Sequence, residues 1–321
     1  MFTCVPASFP AYVGVVRAAI IAFVLAITVG SCATIAPNPA ASGTYPPRAS
    51  ASGSASPQAT PAPPLVPPSP NLRVASVVRW PLAGTRPPDS HEPFRIPILT
   101  YHRISTPPAG PVAFPNLWVP SDLFRQQLQA LVAAGWHTIT VAQLAADLEA
   151  GRPPVPRTFA ITIDDGNQDG FTNAFPTLVA LRLVATYYVV TGRLGEPGDL
   201  TRDEIARLAS AGMEIGDHTV DHVNLTRLSG TALERQIVEA EFTIQSIVGE
   251  RPATFAYPFS DWDPGVVSGV ARAGFDAAVI NREVGPVDWT NRFLIPRLEV
   301  GPTTTPAHLV AEADSAAPPR T

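Results

Sequence analysis

An α/β domain built on a largely parallel sheet or barrel is the fold class this sequence predicts. Two observations carry it. From Arg95 onward, short apolar bursts of strand length alternate with stretches of helical periodicity. Polar residues then gather directly behind the strand segments, where the loops of a parallel barrel converge on one face.

Taken in order, Ile96 to Tyr101 reads as the first strand. Ser121 stands as the N-cap of a helix that carries Phe124, Leu128 and Leu131 and ends near Gly135. Thr138 to Thr140 is a short strand, followed by a helix through Leu144 and Leu148. Thr158 to Ile163 is an apolar strand that runs into Asp164-Asp165-Gly166, and Val184 to Val190 is the next strand. Thr201 caps a helix with Ile205 and Leu208 on its inner face; the helix stops at Gly212, before the strand Met213 to Gly216 that delivers His218. A longer helix over Thr231 to Ile247 leads to a strand at Thr254 to Tyr257. A helix at Pro264 to Ala273 and strands at Phe275 to Ile280 and Phe293 to Val300 close the series.

The rest of the chain is of another kind. The 321 residues include 37 prolines, and the Ala/Ser/Pro tract of the first third does not pack a core. Arg17 precedes an apolar run from Ala18 to Val29 that ends in Val29-Gly30-Ser31-Cys32. The run has the length of a signal-peptide apolar region. Its ending resembles the lipobox of bacterial lipoproteins, which implies lipidation of Cys32; an ordinary cleaved secretory signal or an uncleaved anchor is the other reading. The expected organisation is a signal at 1–32, a linker at 33–94, one catalytic domain at 95–310 and a C-terminal tail at 311–321. Export follows from either reading, with a lipid anchor at the outer face of the plasma membrane or cell envelope from the first. With a mild net charge of −5, nothing suggests a nucleic-acid surface, and nothing points to a protein partner. Both cysteines, Cys4 and Cys32, lie in the N-terminal segment, so a metal in the folded part has only His and carboxylate to bind.

Three features carry chemistry. Asp164 and Asp165 are adjacent at a strand end, where a turn aims two carboxylates in different directions. His218 and His222 stand four apart, a spacing that puts both imidazoles on one face of a helical turn, able to share one metal. Phe255-Ala256-Tyr257-Pro258-Phe259-Ser260 ends a strand with an aromatic cluster suited to a sugar-binding groove. Each alone has a bland counterpart: a simple turn, a surface His pair, core packing. Their order along one chain is what distinguishes them.

That order resembles the polysaccharide deacetylase family, carbohydrate esterase family 4 or NodB-homology domain, from about Ile98 to Val300. Thr162-Ile163-Asp164-Asp165-Gly166 is similar to its Thr-Phe-Asp-Asp-Gly motif, and His218-Thr219-Val220-Asp221-His222 to its His-Ser/Thr-x-x-His motif. Ala185-Thr186-Tyr187-Tyr188-Val189 and Gly212-Met213-Glu214-Ile215-Gly216 also have family counterparts. The resemblance implies a distorted (β/α) barrel with largely parallel strands. It implies one divalent ion, zinc first with cobalt, nickel or manganese as alternatives, on Asp165, His218 and His222. The implied reaction is hydrolysis of an N-acetyl group by a metal-activated water, with Asp164 as general base and the Phe259 N–H at the oxyanion. The implied substrate is a polysaccharide, either peptidoglycan or poly-N-acetylglucosamine.

Two family positions depart from the pattern. Ala256 stands where the third motif has an Arg that orients the base; Arg297, behind apolar strand residues, is the expected substitute, against a surface salt bridge. No Leu-x-x-His-like stretch follows the last strand. His102, in Leu99-Thr100-Tyr101-His102-Arg103, is therefore the expected general acid, against a structural cap. The poly-N-acetylglucosamine branch of the family begins with a similar Tyr-His. His308 reads as part of a surface helix or tail, and His137 as packing. Trp262, Asp263, Asp288 and Trp289 are expected on loops bordering the groove. A hydrolase of a non-sugar amide on this fold and a catalytically silent carbohydrate-binding lipoprotein are the competing functions.

Overall fold

The computed structural model describes residues 93–282 and 284–316. The signal, Cys32 and the linker up to residue 92 lie outside the described residues. The strands are β1 (Ile98–Tyr101), β2 (His137–Ile139), β3 (Thr158–Ile163), β4 (Thr186–Val189), β5 (Glu214–Asp217), β6 (Thr254–Ala256), β7 (Ala277–Asn281) and β8 (Ile295–Glu299). The helices are α1 (Ser121–Ala133), α2 (Val141–Glu149), α3 (Phe175–Leu181), α4 (Arg202–Ser210), α5 (Gly230–Val248), α6 (Pro264–Ala273) and α7 (Pro306–Ala316). None of them is long and apolar enough to cross a membrane.

The strand order β1-β8-β7-β6-β5-β4-β3 closes on itself through the β1–β3 pair, giving a barrel of seven parallel strands. β2 lies outside the ring. It pairs with β3 at Thr158 to Ala160, below the point where β4 takes over the same edge at Thr162 and Ile163.

Strand periodicity decides what faces where. On β3, Phe159, Ile161 and Ile163 join the outer core under α1 and α3, whereas Ala160 joins the inner cluster. β4 follows suit, with Tyr187 and Val189 outward and Tyr188 inward. Phe255 on β6 and Tyr257 just behind it pack outward with Val266 and Val270 of α6, and Ala256 faces inward. A Cβ on Gly216 of β5 would lie 2.4 Å from the Tyr188 ring, so this glycine makes room for the tyrosine inside the barrel. Lower down, half-buried Glu214 accepts hydrogen bonds from Thr186 and Thr254 and from the Ala142 N–H at the start of α2. The single Thr254 hydrogen is thereby used, and Tyr188 donates its own to Thr254 Oγ at 2.9 Å.

The helix ends follow local chemistry. Thr140 with Gln143 and Thr201 with Glu204 form reciprocal capping boxes at α2 and α4. Ser121 is not a cap: it is the first residue of α1, and Pro120 holds the N-cap position, its carbonyl accepting from the Phe124 N–H at 2.9 Å. Between β3 and β4 the chain adds a π-type turn, Gly170–Ala174, that runs straight into α3. Nothing in the patterning announces it, because Gly170 and Pro176 read as breakers. The expected tail from residue 311 is instead the second half of α7, up to the last described residue. Leu309, Ala313 and Ala316 bury there, and Leu309 and Ala313 join the core that includes Leu128 and Leu131 of α1.

Candidate metal centre

The inward register of the strands continues past their ends, and this collects the site. Asp164 follows β3 in phase with Ala160 and Thr162, and Arg297 on β8 points into the same space. Their contact is bidentate: Arg297 Nη1 donates to Asp164 Oδ1 at 2.8 Å and Nη2 to Oδ2 at 2.7 Å. Nη1 also donates to the Thr162 hydroxyl at 2.9 Å, which itself donates to the Leu99 carbonyl. The pair is sealed, with Arg297 1% and Asp164 2% exposed. Burial by itself would raise the Asp164 carboxyl; the Arg297 charge and hydrogen bonds, then His218 and His102, overcome it and hold the group at about 2. A buried ion pair, not a surface salt bridge, is what Arg297 makes.

Asp165 leaves that register. Its backbone is left-handed (φ 75°), which swings its carboxylate away from Asp164 and toward the loop after β5. There His218 Nε2 lies 3.7 Å and His222 Nε2 3.3 Å from Asp165 Oδ1. The expected helical turn is absent. Residues 218 to 222 form an irregular loop in which Thr219 (φ 71°) and His222 (φ 52°) are also left-handed, and it is these bends that bring the rings together, 4.8 Å between centroids. The Thr219 N–H bonds to Asp217 Oδ1, and the His222 N–H to Thr219 Oγ. Strained backbone of this kind, costing roughly 1–3 kcal/mol per residue, persists where surrounding bonds over-determine it.

The donor set fits a cation. The His218 Nδ1–H donates to the Ala256 carbonyl at 2.7 Å, which leaves its Nε2 with a free lone pair facing Asp165. Burial lowers His218 against the pull of Asp164 and Asp165; burial and the neighbouring His218 lower His222 to about 4. Both imidazoles are thus neutral at neutral pH, so the two His–Asp contacts are not ion pairs. The three candidate ligand atoms lie within 4.8 Å of one another, and His₂-carboxylate is a set that binds zinc with positions to spare.

His102, half-buried, sits at the end of β1, close enough for its charge to act on Asp164; its carbonyl accepts from Asn167 Nδ2 at 3.4 Å. Phe259 is left-handed (φ 59°), with its ring 60% exposed and set edge-on against His222 at 4.6 Å. Of the aromatic cluster expected to shape a groove, Phe259 alone does so. Phe255 and Tyr257 are buried in the outer core. The groove runs from His222 and Phe259 past Val223, Asn224, Leu228 and Asp261, with Trp262 40% exposed nearby. Asp263 caps α6, and Asp288 ties its own turn through the N–H groups of Thr290 and Asn291. Trp289 stacks on Arg292. His137 hydrogen-bonds Thr158, and His308 faces Glu312 on α7, both apart from Asp165, His218 and His222. Sequence reasoning missed the Ala256 carbonyl and Thr162, and for the first there was no signal to read, because any residue supplies a carbonyl.

Comparison with known proteins agrees with this geometry. A family model described as polysaccharide deacetylase matches residues 151–278. YxkH of Bacillus subtilis is 22% identical over 213 residues, covering 66% of this chain and 74% of that protein. A poly-beta-1,6-N-acetyl-D-glucosamine N-deacetylase of Staphylococcus aureus is 22% identical over 197 residues, 57% of this chain and 68% of the relative. Among solved structures, the Streptococcus pyogenes deacetylase PplD in complex with acetate superposes with a TM-score of 0.65 at 26% identity, over 69% of this chain and 99% of that one. Chitin and chitooligosaccharide deacetylases also match, but the chain spans only 44 to 60% of their length.

Proposed function

We propose that this chain, which a polysaccharide deacetylase family model matches over residues 151–278 and which shares the fold of a deacetylase at 26% identity, is a metal-dependent hydrolase that removes N-acetyl groups from N-acetylglucosamine-type units of a polysaccharide. The observation that carries the reading is the coexistence of two carboxylates with opposite duties one residue apart. Asp165 faces two neutral imidazoles, and Asp164 is locked to a buried arginine.

In this reading Asp165, His218 and His222 hold the ion, zinc in the first instance, on nitrogen and oxygen donors that also accept cobalt, nickel or manganese. A divalent cation bound there supplies the acidity the attacking water needs, since Asp164, ionised at any working pH, is by itself a weak base. Asp164 takes the proton of that water, and Arg297 keeps both carboxylate oxygens in one orientation for it. The Phe259 N–H donates to the developing oxyanion. His102 gives a proton to the departing amine nitrogen. The groove along Phe259 and Leu228 holds the neighbouring sugar, with the Phe259 ring as its stacking face.

Peptidoglycan and poly-N-acetylglucosamine are the proposed substrates. The Val29-Gly30-Ser31-Cys32 ending supports export and a lipid anchor at the cell envelope, which would keep such a polymer within reach. The test is acetate release by the full-length chain from poly-N-acetylglucosamine, peptidoglycan and acetylated chito-oligosaccharides, with and without a chelator. Acetate release that a chelator stops and zinc restores is the expected result. Metal binding without acetate from any glycan would point to a non-sugar amide, and neither binding nor acetate to a silent carbohydrate-binding protein.

A further inference from the structure

The three ligands come from two loops, Asp164–Gly166 behind β3 and His218–His222 behind β5, with β4 between them. The end of β4 and the chain just past it touch both. Val189 accepts from the His218 N–H at 3.1 Å. Thr191 and Gly192, opening a short 3₁₀ turn (Thr191–Arg193), donate their N–H groups to the carbonyls of Thr219 at 3.1 Å and Val220 at 2.8 Å. The next residue reaches the other way, and Arg193 Nη2 donates to the Asp165 carbonyl at 3.2 Å. Asp165 and Thr219 are two left-handed residues on which the ligand geometry depends, and the carbonyl of each is bound by this one turn.

Gly192 is required by closeness rather than by conformation: a Cβ there would lie 2.6 Å from the Val220 carbonyl oxygen and 3.2 Å from Asp221 Oδ1. Arg193 is placed against its charge. It lies near enough to help lower His222, and a fixed positive group there opposes the binding of a second cation. Its contribution to a metal site is therefore a matter of geometry. On the far side, buried Gln236 of α5 holds the same loop by accepting from the Asp221 N–H at 2.9 Å and donating to Asp221 Oδ2 at 2.7 Å.

We propose that the Thr191–Arg193 turn is a clasp that sets the separation between Asp165 and the two imidazoles, with Gly192 and Arg193 as positioning residues. The proposal rests on the reading of Asp165, His218 and His222 as a cation site. Calorimetric titration of the full-length chain with Zn²⁺ alone, paired with the visible absorption spectrum of the Co²⁺-loaded protein, tests it. Arg193→Gln and Gly192→Ala are each expected to weaken Zn²⁺ binding by roughly 10- to 100-fold, the range for residues that orient metal ligands, and to alter the Co²⁺ spectrum. Arg193→Lys, which keeps the charge but loses the planar fork, is expected to be weakened as well. Thermal unfolding in chelator checks that the variants fold, and the half-buried Arg193 variants carry the test should Gly192→Ala not fold. The signs separate the alternatives. An Arg193→Gln chain that binds Zn²⁺ as tightly as the wild type, or more tightly, as removal of a bystander positive charge would give, overturns the clasp while leaving the site intact. A wild type that binds no better than His222→Ala overturns the site and the clasp together.

Discussion

Replacing Arg297 with Met removes the cation from a sealed pair while filling most of its volume. Three hydrogen bonds go with it, two to Asp164 and one to Thr162, and the Asp164 carboxylate is left 2% exposed without its partner. Breaking a buried pair from one side costs about 3–5 kcal/mol. The stabilisation visible in the carboxyl itself has the same sign and order of magnitude: lowering from 3.8 to about 2 corresponds to roughly 2 kcal/mol. The sign is set by that direction. A carboxyl depressed in the folded state contributes its full stability above its unfolded value of about 3.9, and loses it as pH falls through the folded one. The deficit of Arg297→Met is therefore full at pH 7 and shrinks toward pH 2. With the guanidinium gone, burial dominates and the Asp164 carboxyl rises, so the acid limb of the activity profile moves up in pH. Loss of the orienting group costs turnover a further factor of about 10² or more. Urea unfolding at a series of pH values, with acetate-release rates on the same samples, measures both. A stability change below about 1 kcal/mol at neutral pH, or an acid limb that stays in place, would refute the reasoning. In Asp164→Asn/Arg297→Met, where no charge is left stranded, much of the stability should return.

Three further outcomes follow from separate parts of the molecule. His102→Asn should reduce turnover by about 10²-fold or more with Zn²⁺ binding unchanged; unchanged turnover with metal bound removes His102 from the mechanism. Gly216→Ala should cost about 1–3 kcal/mol by driving a methyl into the Tyr188 ring, and a melting temperature equal to the wild type would show that the barrel interior yields. At the opposite end of the barrel, burial raises Asp276 to about 6, against Arg251 and with Glu214. A carboxyl raised in the folded state subtracts stability as pH climbs from about 4 through about 6. Asp276→Asn should thus be more stable than the wild type at pH 7 by about 1 kcal/mol, after discounting for its partial exposure, and equal to it near pH 4.

Much of this was legible because barrel chemistry is periodic. An apolar strand ending in Asp164-Asp165, and another delivering His218, place their polar residues on the active face whatever the details of the loops. Arg297 was legible for the same reason, behind apolar Leu294 and Ile295 on a strand. Irregular backbone was not. A four-residue spacing between His218 and His222 suits a helix, but the Thr219–Asp217 bond and the contacts from Thr191 and Gly192 select a left-handed bend instead. Thr191 and Gly192 lie nearly thirty residues away, beyond the reach of any local pattern. Phe255 and Tyr257 were read with Phe259 as one aromatic surface, although strict alternation sends the first two to the outer core. The π-type turn before α3 was hidden by Gly170 and Pro176, whose usual meaning tertiary packing overrides. There the stacked rings of Phe171 and Phe175, 5.5 Å apart, bridge the join.

The position of the arginine shows why a closed barrel tolerates such departures. Ala256 on β6 and Arg297 on β8 both face the interior, and the strand between them, β7, pairs with each. Arg297 crosses to Asp164 just behind β3, and because seven strands leave a core only one side chain deep, a long side chain at position 256 is expected to reach it as well. In the proposed mechanism Asp164 needs a planar fork at its two oxygens, and the expectation is that the strand of origin is immaterial. This idea has its own test. Ala256→Arg alone adds volume to a filled interior and a second cation beside the first, and should lose about 1–3 kcal/mol of stability. Placed in the Arg297→Met background, the same substitution meets a stranded carboxylate. Partial recovery of stability at pH 7, with the acid limb of activity moving back down, is expected. If Ala256→Arg deepens the Arg297→Met defect, the barrel does discriminate between its strands, and β8 holds the arginine for a reason of geometry that the interior alone does not supply.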